Sequence, residues 1–474
     1  MNEPYYRTVR EMLADLAAKR MSARELLDAH VGRNDRLHAR LNAVIVSDIA
    51  RARRDAQAID DARAKGANLG ALAGIPMTVK DGFDVDGMPA AAGNPAFTTR
   101  PKACADAAVV ASVRRAGAVV WGKTNVPLML SDFQSYNAVY GTTNNPYDFS
   151  RTPGGSSGGA AAALASGITP LEIGSDIGGS LRHPANFCGV LSLKPTWGTL
   201  SLRGHVPPPP GRYYESDLGV AGPMARNAAD LRLLYGVLHG KAQAPRKDVK
   251  GARIAIWDNE PSFPLAREVR EAVGRAADAL AGQGAVVDHA RPGFDGETLM
   301  APYRHILTAI LGADFPDTIY DGMQKTHAAD RAALARGDAS AAFRAYATST
   351  YREFVQALTA REILKDQLAN FFEDWDAIVM PISPVPPFRH LHEPGFGERT
   401  LDVDGTIWPY DTMLNWIALA TALHAPAIAV PAGRTGGGLP LGVQLVAPWH
   451  CEDRLFDYAA ALEDALGGFA PPAL

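Results

Sequence analysis

Short apolar, often β-branched runs alternate with longer stretches of helical periodicity along most of this chain. Segments 43–46, 75–79 and 118–121 read as buried strands, and between the last two a helix over 107–116 is stopped by Gly117. The rhythm continues through a small-residue helix over 160–166 and a strand at 171–174. It then runs through strand 253–257, the amphipathic helix 265–281, and strands 285–289 and 377–380. Strands 427–431 and 442–446 and a helix over 453–466 close the pattern. Such alternation predicts an α/β fold, a large mixed twisted sheet flanked by helices on both faces.

The first forty residues read as two helices. Ser22 with Glu25 three positions later forms a capping box ahead of Leu26, Leu27 and Val31. Residues 290–375 are helix-rich and charged and read as a helical cover with a solvated face. Two proline-rich segments, 206–211 and 381–397, read as stiff surface loops, either connectors or a rim around a pocket; the second holds five prolines. At 474 residues the length alone would suggest more than one domain. The motifs described next span so much of the chain that a single domain over 1–474 is expected instead, with an outer helical layer at 1–40 and a core at 65–235.

Composition narrows the function classes. With 47 Lys+Arg against 51 Asp+Glu the net charge is −4, which gives no general attraction to nucleic acid or an anionic membrane. A small-molecule substrate is the better expectation, with the protein a monomer or homodimer. Three widely spaced cysteines, Cys104, Cys188 and Cys451, form neither a disulfide framework nor a zinc cluster. They suggest a reducing, cytoplasmic setting. No apolar run reaches the length a membrane span needs, and neither a metal nor a cofactor is expected.

Three segments combine unusual backbone demands with reactive groups. In Gly74-Ile-Pro-Met-Thr-Val-Lys-Asp-Gly82 an apolar strand ends in Lys80. A lysine buried there is driven towards its neutral, basic form; at the surface it would instead pair with Asp81 or Asp84. Thr152-Pro-Gly-Gly-Ser-Ser-Gly-Gly159 leads into an alanine-rich helix. A phosphate cradle is one reading of such a turn, but a P-loop requires Lys-Ser/Thr after the last glycine, and Ala160-Ala161 follows here. In Gly174-Ser-Asp-Ile-Gly-Gly-Ser-Leu-Arg182 paired glycines precede Ser180. The N–H groups of Ile177, Gly178, Gly179 and Ser180 can converge there as an oxyanion hole beside a nucleophile.

Together the three segments resemble the amidase signature family closely. The resemblance implies a Ser-cisSer-Lys amide hydrolase with Ser180 as nucleophile, Ser156 as the serine that follows a cis peptide bond, and Lys80 as base. It extends to Gly122-Lys-Thr-Asn125, Asn144-Asn-Pro146, Phe187-Cys-Gly189, Leu193-Lys-Pro-Thr196 and Gly222-Pro-Met224. It fades from about 290 to 375, where such enzymes differ in substrate.

Ser157 is either a hydrogen-bonding helper or the N-cap of the following helix. Asp176 and Arg182 are expected to pair and brace the turn. Cys188 and His183 read as buried structural residues, His183 in a turn before Pro184. Leu128, Met129, Phe133, Tyr136, Tyr213, Tyr214 and Trp408 are candidates for an apolar substrate pocket and favour apolar or aryl amides, with carbamates and amide oligomers as related options. The family also contains the A subunit of tRNA-dependent amidotransferases, the alternative reading. Those proteins tend to carry an acidic pair before a phenylalanine where Val126-Pro-Leu-Met-Leu130 stands here.

Overall fold

The computed structural model of the protein describes residues 3–207, 214–241 and 244–474. Its first three strands form a separate sheet rather than joining the large one. β1 (Val44–Ser47), β2 (Pro76–Lys80) and β3 (Val119–Thr124) lie in the order β1-β3-β2, with β3 antiparallel to β1 and parallel to β2. A two-residue ladder joins β4 (Tyr136–Asn137) to β5 (Gly141–Thr142).

The large mixed sheet has eight strands: β6 (Leu171–Asp176), β7 (Leu191–Lys194), β8 (Val220–Ala225), β9 (Arg253–Ile256), β10 (Val286–His289), β11 (Ala377–Met380), β14 (Ala427–Arg434) and β15 (Pro440–Val446). Their order is β10-β9-β11-β15-β14-β7-β8-β6, parallel from β10 to β11 and antiparallel beyond. β12 (Thr400–Val403) and β13 (Thr406–Pro409) form a separate hairpin.

Helices cover both faces of the large sheet, which is why its inner strands read as continuous apolar runs. Ile428, Val430 and Ala432 of β14 face one apolar body, and Ala427 and Ala429 face the other. The first body is closed by α7 (Ala228–His239), α8 (Arg267–Gly282) and α14 (Glu452–Leu466). The second contains α5 (Gly158–Ala165), α6 (Arg182–Cys188), α9 (Gly296–Ala313), α12 (Tyr351–Asp374) and α13 (Ala418–Ala422). α10 (Asp317–Ala335) packs on α11 (Ala342–Ala347), and α11 on α9.

The N-terminal helices are α1 (Val9–Ala17) and α2 (Ala23–Leu41), and Ser22 caps α2 as its sequence indicates. The Glu25 N–H donates to Ser22 Oγ at 3.1 Å, and the Ser22 N–H donates back to the Glu25 carboxylate at 2.8 Å. α3 (Ile49–Ala64) was not legible: it buries only Ala52 and Ala56 and has no apolar stripe to betray it. α4 (Ala108–Arg115) ends ahead of Gly117, as expected.

Two local expectations are corrected. The turn expected around His183 is the short helix α6, with Pro184 in its first turn, where the missing N–H would have no helical acceptor. The loop 381–397 is not a surface loop throughout, because residues 381–385 are buried. Its groups are taken up by neighbours: Asn186 Nδ2 donates to Ser383 Oγ at 3.0 Å, and the Ala266 N–H donates to Pro384 O at 2.8 Å. Proline brings no N–H into the core, so such a segment has fewer donors to satisfy when buried. The other proline-rich loop lies mostly outside the described residues.

Candidate active site

The two sheets meet where the sequence motifs converge. Lys80 ends β2 in the small sheet, and its side chain is fully enclosed. It lies against β6, the edge strand of the large sheet, beyond which the chain turns through 177–181 into α6. α5 is buried along its whole length, made of glycine, alanine and one leucine, which lets backbones approach closely. The serine turn before it is packed as tightly. A Cβ on Gly155 would stand 2.5 Å from the Gln134 nitrogen, so only glycine fits there. The Gly155–Ser156 peptide is cis.

Lys80 Nζ lies 2.7 Å from Ser156 Oγ, 3.0 Å from Ser175 Oγ and 3.2 Å from Ser175 O. The surface pairing with Asp81 does not occur. Asp81 instead pairs with Lys123 at 2.6 Å, both side chains fully enclosed. Burial pulls the Lys80 amine down to about 7, opposed by the negative charges of Asp176 and Glu172. A low pKa alone does not mark a base, since burial also brings Lys194 to about 7. Lys194, however, donates to the carbonyls of Pro195 and Ala425, neither of which has a proton to exchange, whereas Lys80 faces a hydroxyl.

Ser180 sits beside this group on the opposite segment, its main-chain oxygen accepting from the Ser157 N–H at 3.2 Å. It is nearly buried, and its hydroxyl has no protein partner among the described residues. No hydrogen bond joins it to Ser156 among those residues, so the second link of a proton relay is adjacent but not formed. Ser157 precedes α5 without a side-chain cap; its hydroxyl donates to Ser175 O at 3.4 Å.

Asp176 and Arg182 pair at 3.0 Å with no exposure, as expected for a brace. Arg182 also donates to Ile417 O, Thr421 Oγ1 and Gln444 Oε1, and Asp176 accepts from the N–H groups of Gly179 and Leu181. Burial alone would raise the Asp176 carboxyl, but Arg182 and these N–H donors hold it below the usual carboxylate range. The four N–H groups expected to form an oxyanion hole are not equivalent. The Gly179 N–H is committed to Asp176 Oδ1 at 2.8 Å, which leaves those of Ile177, Gly178 and Ser180 without a protein acceptor among the described residues. Gly179 has φ +90°, and a Cβ there would strike His183. Tyr303 from α9 donates to Ile177 O at 3.1 Å and pins the turn from above.

Phe133 reaches this turn, its ring 5.4 Å from that of His183 and grouped with Phe396 and Tyr410. Leu128 and Met129 lie on a short, partly exposed turn. Tyr136 is stacked on His392 and is tied to Asp132 and Arg399 through its hydroxyl. Tyr214 donates to Asp314 at 3.1 Å, and Trp408 lies on the β12–β13 hairpin. Tyr213 lies outside the described residues. Cys188 is buried, its thiol pushed well up by burial, and its Sγ contacts Pro153 O. Burial lowers His183 to about 3.

Sequence reasoning missed three groups. Ser175 stands inside the motif from Gly174 to Arg182, but nothing in the pattern gave it a role. Glu172 is a fully buried acid whose signal was its place in an apolar strand. It accepts from Thr78 Oγ1 at 2.6 Å and from the Ile173 N–H at 3.0 Å, and burial raises it to about 8. His205, beside Ser175, carried no signal. Among the described residues no three His, Cys, Asp or Glu side chains are placed to hold a metal, and no helix is long and apolar enough to cross a membrane.

The family described as Amidase matches residues 25–456. The chain is 33% identical over 500 residues to the A subunit of the glutamyl-tRNA(Gln) amidotransferase of Acidothermus cellulolyticus, covering 98% of this chain and 95% of that one. It is 32% identical over 467 residues to AtzE of Pseudomonas sp. strain ADP, one of the subunits of 1-carboxybiuret hydrolase, covering 93% and 94%. Among solved structures, 6-aminohexanoate cyclic dimer hydrolase complexed with substrate superimposes with a TM-score of 0.80 at 25% identity, over 99% of each chain.

Proposed function

The chain belongs to the amidase family, whose members include hydrolases of C–N bonds, and on that premise we propose that it cleaves apolar or aryl amides through an acyl-enzyme on Ser180. The observation that carries the reading is the fully enclosed Lys80 held 2.7 Å from Ser156 Oγ with no ion-pair partner among the described residues. Near neutral pH a large share of this amine is unprotonated. It takes the proton of Ser156, which takes that of Ser180 as the latter attacks the carbonyl. The free N–H groups of Ile177, Gly178 and Ser180 receive the oxyanion, and the relay then runs backward to protonate the departing amine. Water hydrolyses the acyl-enzyme by the same route. The aromatic group around Phe133 supports an apolar acyl or aryl portion, with carbamates and amide oligomers as related substrates.

A fluorophosphonate should label Ser180, located by peptide mass spectrometry, and apolar p-nitroanilides should be turned over faster than glutamine. Label on Ser157 or Cys188 with Ser180 free would overturn the assignment. The identity to an amidotransferase component over 98% of the chain supports a second reading. Efficient glutamine hydrolysis appearing only with added partner subunits would select it.

A further inference from the structure

The hydrogen bonds behind Lys80 have a direction that can be worked out one atom at a time. His205 Nδ1 lies 2.6 Å from Pro207 O, and its Nε2 lies 2.9 Å from Ser175 Oγ. A carbonyl can only accept, so Nδ1 carries the ring proton and Nε2 presents a lone pair. Ser175 must therefore donate its single hydroxyl proton to His205. Towards Lys80, 3.0 Å away, Ser175 Oγ then shows only lone pairs, and Ser175 O at 3.2 Å is likewise an acceptor. A neutral amine has two N–H bonds and one lone pair. Both N–H bonds are taken by Ser175, and the lone pair faces Ser156, the one of these partners with a proton to give.

We propose that His205 is a positioning residue: by holding the proton of the Ser175 hydroxyl, it directs the Lys80 lone pair onto Ser156. Without it the Ser175 hydroxyl can rotate, donate to Lys80 and occupy the lone pair the relay needs. Among the described residues, the charged and titratable groups facing this cluster are Lys80 itself, with Glu172 and Asp176 from β6. Burial, reinforced by Lys80, pulls the ring down to about 3, so His205 stays neutral wherever Lys80 titrates. Phe83 meets the ring edge-on at 4.8 Å and fixes its plane.

The inference rests on the proposed roles of Ser180, Ser156 and Lys80, and its test needs no substrate. A fluorophosphonate forms a bond from Ser180 Oγ to phosphorus and expels fluoride, while the serine proton passes to Ser156 and that of Ser156 to Lys80. Its labelling rate on the full chain therefore reports the relay. His205→Phe keeps a ring against Phe83 but has no acceptor, and should slow labelling at pH 8 by about tenfold with the melting temperature held. His205→Gln, whose amide oxygen can accept from Ser175, should recover most of the rate. The Ser175→Ala/His205→Phe double variant should be no slower than Ser175→Ala alone, because His205 acts only through Ser175.

A rate within twofold of the parent for His205→Phe, a glutamine variant no better than phenylalanine, or additive losses would overturn the proposal. If His205→Phe does not fold, His205→Leu supplies the same comparison. Unimpaired labelling of Ser180→Ala would instead overturn the underlying assignment of the nucleophile. Loss of labelling in Ser180→Ala with a normal rate in His205→Phe would overturn the role of His205 alone.

Discussion

Replacing Lys80 by methionine should make the protein inactive and more stable, with a stability gain that depends on pH. The Lys80 amine is brought from 10.5 down to about 7, chiefly by burial. Between those values the unfolded chain holds a proton here that the folded chain lacks, so this group makes stability rise as pH rises through that window. At or below pH 7 the full cost is present, roughly 5 kcal/mol at about 1.4 kcal/mol per pH unit, and above pH 10.5 it is gone.

Methionine fills similar space without a charge and removes that cost. It also deprives Ser156 and Ser175 of a partner, which offsets roughly 1–3 kcal/mol. The net expectation is a stabilisation of about 2–4 kcal/mol at pH 6 that vanishes or reverses near pH 10. Glu172, raised to about 8, titrates in both proteins and cancels from the difference apart from its attraction to Lys80. Urea and thermal unfolding of the two proteins in parallel at pH 6, 8 and 10 measure this. A methionine variant that is less stable at pH 6, by an amount unchanged at pH 10, would refute the account of Lys80 as an amine held neutral at a cost.

Three further outcomes are expected. Ser180→Ala should lose at least a thousandfold in amide turnover while its melting temperature stays within a few degrees, since its hydroxyl makes no protein hydrogen bond among the described residues; residual activity near the parent level would contradict the nucleophile. Lys80→Ala and Ser156→Ala should harm turnover of an anilide considerably more than that of a matched activated ester, because only the amide needs a proton delivered to its leaving group; equal losses would confine Lys80 to the attack step or to structure. Arg182→Met should destabilise the protein by about 3–5 kcal/mol in chemical denaturation, because it strands the fully buried Asp176 without its counter-charge, and Asp176→Asn in the same chain should recover part of the loss.

Much of the fold was written in local pattern. The capping box at Ser22, the Gly117 stop after α4 and the apolar runs of β2, β6, β14 and β15 each follow from forces acting over a few residues. α3 was hidden because a helix with two buried alanines has no apolar stripe, and α6 because its proline sits in the first turn, where a helix tolerates it. The separation of the small sheet from the large one could not be read, since strand partners are set by contacts distant in sequence. At the site, the segments bearing Lys80, Ser156 and Ser180 announced themselves through glycines and a lysine on an apolar strand. The diversion of the Gly179 N–H to Asp176 and the approach of His205 depend on how loops fold back, which residue types do not encode.

The division into two sheets ties reactivity to assembly. Lys80 belongs to one sheet, and Ser175 and Ser180 hang from the edge of the other, so the proposed base and the proposed nucleophile share no local structure. On the proposed mechanism, a half-docked chain that leaves Lys80 hydrated should hold it as an ammonium and leave Ser180 an ordinary alcohol. Such a chain should leave Ser180 unreactive towards an acyl donor or a serine-directed label until the sheets dock. In the finished molecule the same dependence turns a serine-directed label into a gauge of sheet docking. Denaturant that parts β2 from β6 should silence the label while the outer helices still hold their circular dichroism.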